Sequence, residues 1–490
     1  MGWMRGMGWR GAFLGVALTL LAAGCTTPQP GPGPGPDAGP EPSSSPSAPP
    51  PEPEPEPEPW ADRPVVDLRF AVAEDLDTVV GRERILFTPD LPTCELVFRA
   101  WPNKPATSVA GNSLVVTEVR LEDRAVGFRD IAAGAPADAP AGTLVEVPLG
   151  ECAAAGDQIE VELDFQLELG EDTNERVGTS GTEEVAWFAT AFPLLAWERG
   201  RGWDRGPAVP VTGEMAVSED FELSLAVAAP SGLDVLSTGT PIGTSDGPDG
   251  TTVHRFTSPA VRDVAVSVGE FDVAEREIAG VRVRVAADQG VAAADPSDWL
   301  DQIEESTRDL VDLLGPFPFP DLSVTVLSAQ TSGIEFPGAI QFGDVDPQGR
   351  RGLVAHELAH MWFYGRVGND QGAHPWIDES FATFAQMVSG GDDLPDAPVV
   401  RDGAPPVGAP MSYWTGFRRP SSVYYETVYI RGGAALVAAR EQAGRDEFDA
   451  ALADYLRENA YSLATPEDVE EAFADLPEVL TALREVGALP

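Results

Sequence analysis

His356 and His360 stand four residues apart with Glu357 between them, in the run His356-Glu357-Leu358-Ala359-His360. On an α-helix that spacing projects both imidazoles from one face, one turn apart, so both can reach a single metal ion. Glu357 falls in the same arc but is not placed as a ligand. It can take a proton from a water that the metal activates, the task of a general base. The competing reading is a pair of core histidines on a buried helix. The chain has only four histidines, which makes an unplanned H-E-x-x-H rare.

A catalytic zinc requires a third protein ligand and one open position. Glu379, nineteen residues beyond His360, is the candidate. Trp376, Ile377, Phe381 and Phe384 surround it in sequence and mark a buried helix, where a carboxylate needs a partner. Two helices joined by a loop can bring Glu379 back against the histidines. The expected centre is one Zn2+ per chain on His356, His360 and Glu379.

These residues need elements to hold them. The stretches 348–365 and 375–388 read as the two helices in question, and a further long helix is expected from Tyr424 to Gly444. Upstream, VRVRVAAD, DLSVTVLSA and AIQFG read as strands, with TSGIEFPG as a turn and 297–315 as an amphipathic helix. From Trp60 to about Val273, segments such as VVDLRFAV and QIEVELDFQLEL alternate apolar and polar residues between Gly, Pro and Asp. The fold class expected is α+β and multidomain. An N-terminal antiparallel β-sandwich or saddle (61–275) precedes an α/β domain (276–490) in which helices dominate toward the end.

The N-terminus carries a different message. Arg5 and Arg10 precede a short apolar run, Ala12 to Ala23, laid out as a secretory signal. Leu21-Ala22-Ala23-Gly24-Cys25 resembles a bacterial lipobox, so residues 1–25 are expected to end in a lipidated Cys25. Residues 26–60 are rich in Pro, Gly, Ser and Glu and end in PEPEPEPEP, the composition of an extended spacer. The expected location is the outer face of a bacterial cytoplasmic membrane, reached only through that anchor. Cys94 and Cys152, in an oxidising compartment, can form a disulfide or remain two buried thiols. The formal net charge of −47 argues against nucleic acid and anionic lipid as partners.

HELAH followed by WIDESFATF resembles peptidase family M1, the gluzincin zinc aminopeptidases. SGIEFPGAI is similar to that family's GxMEN segment, and VYIRGG to its YxKG signature. The resemblance runs over roughly residues 60–490 and implies that 276–490 is a thermolysin-like α/β catalytic domain. It implies that Glu335 binds a substrate's free α-amine and that Tyr429 hydrogen-bonds the tetrahedral oxyanion, with Tyr425 one turn earlier as the second choice. Phe336 stands where the family has asparagine, Ser380 where it has glycine, and Arg431 where it has lysine. About 110 residues follow Glu379, so a short form without the family's C-terminal helical domain is expected. The resemblance implies an aminopeptidase acting on peptides by metal-activated water with Glu357 as base. The alternatives are a zinc endopeptidase with an open cleft, and a catalytically inactive peptide-binding lipoprotein. Side-chain preference and oligomeric state are left open by the sequence.

Overall fold

Strands of the N-terminal half form because their side chains alternate between an apolar interior and solvent. In Thr78–Phe87, Val79, Ile85 and Phe87 point inward while Val80, Arg82 and Arg84 point out. The computed structural model describes residues 57–131, 142–171, 173–211, 213, 217–389 and 403–490. The signal-like segment, Cys25 and nearly all of the Pro/Glu-rich stretch lie outside the described residues. Among the described residues, no helix is long and apolar enough to cross a membrane.

Eight strands make the largest sheet, in the order 240–246, 251–261, 221–230, 65–72, 78–87, 159–168, 113–121 and 124–126. Its pairings are antiparallel except for Val65–Val72 against Phe221–Pro230, which run parallel. Two four-stranded sheets and a two-stranded ribbon, Trp197–Glu198 with Gly202–Trp203, complete this half. Leu68 and Phe165 of the large sheet share one hydrophobic cluster with Phe98 and Phe188 of the smaller ones. A disulfide joins Cys94 to Cys152, tying Thr93–Arg99 to its neighbour Leu144–Ala153.

The second half is built on a five-stranded sheet, ordered 271–278, 281–288, 321–327, 339–343 and 333–336. Helix α1, Pro296–Leu314, makes the crossover between the parallel neighbours Val281–Asp288 and Asp321–Leu327. Asp295 and Asp298 form a capping box at its start, with Pro296 in the first turn. It buries Trp299, Ile303, Leu310 and Leu314 in the second hydrophobic cluster. Three further helices pack into the same cluster: α2 (Arg351–Ala359), α3 (Trp376–Val388) and α4 (Gly432–Ala443). A β-rich region followed by a more helical one is the α+β arrangement expected from the sequence.

Three local expectations change. The segment read as a turn, TSGIEFPG, contains a strand, Gly333–Phe336, paired antiparallel with Ala339–Gly343 at the sheet edge. Pro337-Gly338 makes the tight connection, with Gly338 at φ 67°, and four residues are too few to reveal a period. The first site helix is shorter than 348–365. It closes when the Gly365 N–H donates to the His360 carbonyl at 2.8 Å, after Tyr364 turns to φ 96°. The helix expected over 424–444 is interrupted: Tyr425–Arg431 is a π-helical turn between Pro420–Tyr424 and α4. One widened turn leaves the apolar spacing too little altered to read from sequence.

Candidate metal centre and cleft

Helix α2 presents His356 and His360 from one face, as four-residue spacing requires. Their Nε2 atoms are 3.2 Å apart. Helix α3 returns across them and brings Glu379 Oε2 to 3.3 Å from His356 Nε2 and 3.4 Å from His360 Nε2. All three side chains are buried. A tetrahedral zinc site with bonds of about 2.0–2.1 Å has edges of about 3.3–3.4 Å, which is the size of this triangle. Glu379 Oε2 is buried without a well-aligned hydrogen-bond donor, a costly state for a carboxylate unless a cation completes it. The donor set and its spacing therefore fit zinc.

The far ring nitrogens are also accounted for. His360 Nδ1 lies 3.1 Å from the Phe363 carbonyl, to which its N–H can donate, and such a bond would turn Nε2 toward a metal. His356 Nδ1 lies 3.5 Å from Thr383 Oγ1, one turn beyond Glu379 on α3. Burial pushes His356 below the ordinary imidazole value, against the pull of Glu379. Burial acts the same way on His360, but the Glu335, Glu379 and Glu357 carboxylates outweigh it and hold that ring well above its ordinary value. Burial would raise Glu379; the two imidazoles overcome it and hold the carboxyl down at about 2. Acidic groups dominate this pocket, and it calls for positive charge.

Glu357, also buried, sits beside the triangle, and its carboxylate, that of Glu335 and His360 offer atoms within 4.8 Å of one another. The edge strand Gly333–Phe336 carries Glu335. Arg176, from the β-rich half, holds Glu335 Oε1 at 3.3 Å and Asp263 at 3.7 Å. Its guanidinium lies 4.7 Å from the Phe336 ring centre, so Phe336 packs on the cation that grips Glu335. Asp263 in turn accepts from Thr190 at 2.5 Å and from the Tyr364 hydroxyl at 2.9 Å.

The π-helical turn delivers Tyr429. Its ring stacks on His356 at 5.5 Å between centres, and its hydroxyl donates to Glu379 Oε1. Tyr425 lines the same cleft but is half exposed, 5.0 Å from the Tyr429 ring. Of the two tyrosines, Tyr429 is the one whose hydroxyl reaches the carboxylate of the triangle. Arg431 spends its charge on backbone: it donates to the Pro405 and Val486 carbonyls.

A cleft of about 490 Å3 opens over these residues. Trp101, Lys104 and Arg176 from the β-rich half line it together with Glu335, Glu357 and Tyr429. Lys104, the only lysine of the chain, is buried there and donates to the Gly213 carbonyl at 2.6 Å. The structure thus brings His356, Glu357, His360, Glu379, Glu335 and Tyr429 to one cleft. Cys94 and Cys152 belong to the β-rich half. Sequence reasoning missed Arg176, Asp263, Tyr364 and Thr383. Thr383 had a usable signal, one helical turn from Glu379; Arg176 and Asp263 had none, because tertiary folding alone brings them near.

No protein-family model matches the chain. Among curated proteins it is similar to Aminopeptidase M1-B of Oryza sativa subsp. japonica, 24% identical over 425 residues, covering 78% of this chain and 46% of that protein. Aminopeptidase M1 of Arabidopsis thaliana is 24% identical over 234 residues, covering 42% of this chain and 26% of that protein. The match to human Aminopeptidase N is 24% identical over 346 residues, covering 62% and 35%. The matched segments therefore span less than half the length of these relatives. Among solved structures, the M1 zinc metallopeptidase from Deinococcus radiodurans superposes with a TM-score of 0.63 at 18% identity, covering 88% of this chain and 95% of that one. A mutant of it bound to a Tyr-Ser-Ala substrate gives 0.62 at 17%, covering 88% and 95%. The chain is thus distantly similar to the M1 zinc metallopeptidases and shares their fold.

Proposed function

We propose that this chain is a zinc-dependent peptidase that removes residues from the N-terminus of peptides. The observation that carries the reading is the 3.2–3.4 Å triangle of two imidazole nitrogens and one carboxylate oxygen, set beside a further buried acid, Glu357, in an open cleft. Distant similarity to proteins named aminopeptidases, and to a metallopeptidase solved with a tripeptide, supports the same class.

His356, His360 and Glu379 would hold the metal. Zinc there would supply Lewis acidity to a carbonyl and lower the pKa of water to about 7. Glu357 accepts the proton of the attacking water and returns it to the departing amine. Tyr429 turns its O–H from Glu379 to the oxygen on which negative charge develops. Glu335 meets the substrate's α-ammonium, and the acidic hollow it forms with Glu357 favours a cation. The edge strand Gly333–Phe336 can pair with an extended peptide and lead its N-terminus to Glu335.

Zinc content, and hydrolysis of aminoacyl and N-acetylated peptides by wild type and Glu357→Gln, test the reading. We expect one zinc per chain, cleavage confined to free-amine substrates, and a loss of about 10^2–10^4-fold in the Gln variant. Equal cleavage of blocked peptides replaces the exopeptidase with an endopeptidase. Peptide binding without hydrolysis replaces both with a binding lipoprotein. The N-terminal run further motivates an exported protein lipidated at Cys25; an alkyne fatty-acid label lost in Cys25→Ala is the expected result, and equal labelling refutes the anchor.

A further inference from the structure

Ser380 follows Glu379 on α3 and is completely buried. Its hydroxyl donates to the backbone carbonyl of Val428 at 2.7 Å. That carbonyl belongs to the peptide unit leading into Tyr429, so the bond fixes the backbone from which the tyrosine hangs. Room for the hydroxyl comes from Gly432, where a Cβ would stand 2.1 Å from Ser380 Oγ. Serine on α3 and glycine at the start of α4 are therefore matched across the helix contact.

A second link joins the same two elements: the Tyr429 hydroxyl donates to Glu379 Oε1. A phenol has one proton to donate. When Tyr429 serves a substrate oxygen, its bond to Glu379 must break, and the π-helical turn loses that tether. The Ser380–Val428 bond uses the backbone and does not compete with the substrate.

We propose that Ser380 is a positioning residue that holds the π-helical turn, and with it the Tyr429 hydroxyl, in place when that hydroxyl leaves Glu379. The proposal rests on the role given to Tyr429 above. Ser380 thereby does more than fill the place of a glycine: it couples the helix carrying the third metal ligand to the turn carrying the oxyanion donor.

The test is a double-mutant cycle of Ser380→Ala and Tyr429→Phe in the zinc-loaded full chain, assayed on aminoacyl p-nitroanilides. Amide hydrogen exchange is measured over residues 425–431 and 376–388, with and without zinc. In the wild-type background Ser380→Ala is expected to lower kcat about tenfold, with KM and zinc content within about twofold. In the Tyr429→Phe background the same change should alter kcat by less than about twofold. Exchange over 425–431 should quicken about tenfold while 376–388 stays protected. Equal losses in both backgrounds, or unchanged exchange over 425–431, overturn the proposal. If Tyr429→Phe alone matches wild type, the oxyanion role fails first and the proposal falls with it, independently of what exchange reports about the Ser380–Val428 bond.

Discussion

The carboxylate of Glu357 lies against the backbone of Gly333. A Cβ built at Gly333 would stand 2.4 Å from Glu357 Cγ and 2.5 Å from its Oε1. The edge strand and the helix of the two histidines thus approach as closely as they do because residue 333 has no side chain, and that approach sets where the proposed base points. Gly333→Ala is expected to push Glu357 aside and lower kcat by about 10^2-fold while zinc content is unchanged. A variant with wild-type kcat would show that the base tolerates the shift.

Arg176 is the buried cation shared by Glu335 and Asp263. Replacing it with Met leaves two buried carboxylates without that charge, a change that typically destabilises by about 3–5 kcal/mol. Thermal melts should place Arg176→Met well below wild type and Arg176→Lys between them. Equal melting temperatures would mean that water or other donors compensate both acids.

Glu83 faces inward from Thr78–Phe87, opposite Leu68 on one neighbouring strand and Leu163 on the other. It is 1% exposed, neither carboxyl oxygen has a hydrogen-bond partner, and burial pushes its pKa well above the ordinary value. Removing an unsatisfied buried polar group is worth about 1–3 kcal/mol. Glu83→Leu is therefore expected to stabilise the protein by about that amount in denaturant titrations at pH 7. A less stable Leu variant would reveal a donor to the carboxyl.

Glu219 gives a dependence on pH. Burial pushes it up to about 7, against the Arg199 guanidinium 3.0 Å away, while Asp90 and Asp62 push it further up. Its ordinary value is 4.5, so between the two the native state binds more protons than the unfolded chain. Stability from this group is thus complete below about pH 4.5 and is lost as pH rises through about 7. Melting temperatures across that window should fall more steeply for wild type than for Glu219→Gln. Parallel profiles would place the group's folded pKa near its unfolded one.

The metal triad is legible in the amino-acid sequence because its information is local. His356, Glu357 and His360 depend only on helical geometry, and Glu379 announces itself as a carboxylate flanked by Trp376, Ile377, Phe381 and Phe384. Alternating strands of the first half are legible for the same reason, since each carries its own period. The edge strand Gly333–Phe336 and the π-helical turn are not, because four residues or one extra backbone unit leave no periodic trace. Their boundaries follow from hydrogen bonds made with distant segments.

What the sequence determined alone is a zinc-type donor set with a second glutamate beside it, since three of the four residues lie within one helical turn and a half. What tertiary structure decided is where charge and side chains converge on that set. Arg176, paired with Asp263, comes from the β-rich half to grip Glu335, and Gly333 packs on Glu357. Ser380 reaches the peptide before Tyr429 across a gap opened by Gly432. Each is a contact between residues far apart in sequence, made by packing that no local period encodes.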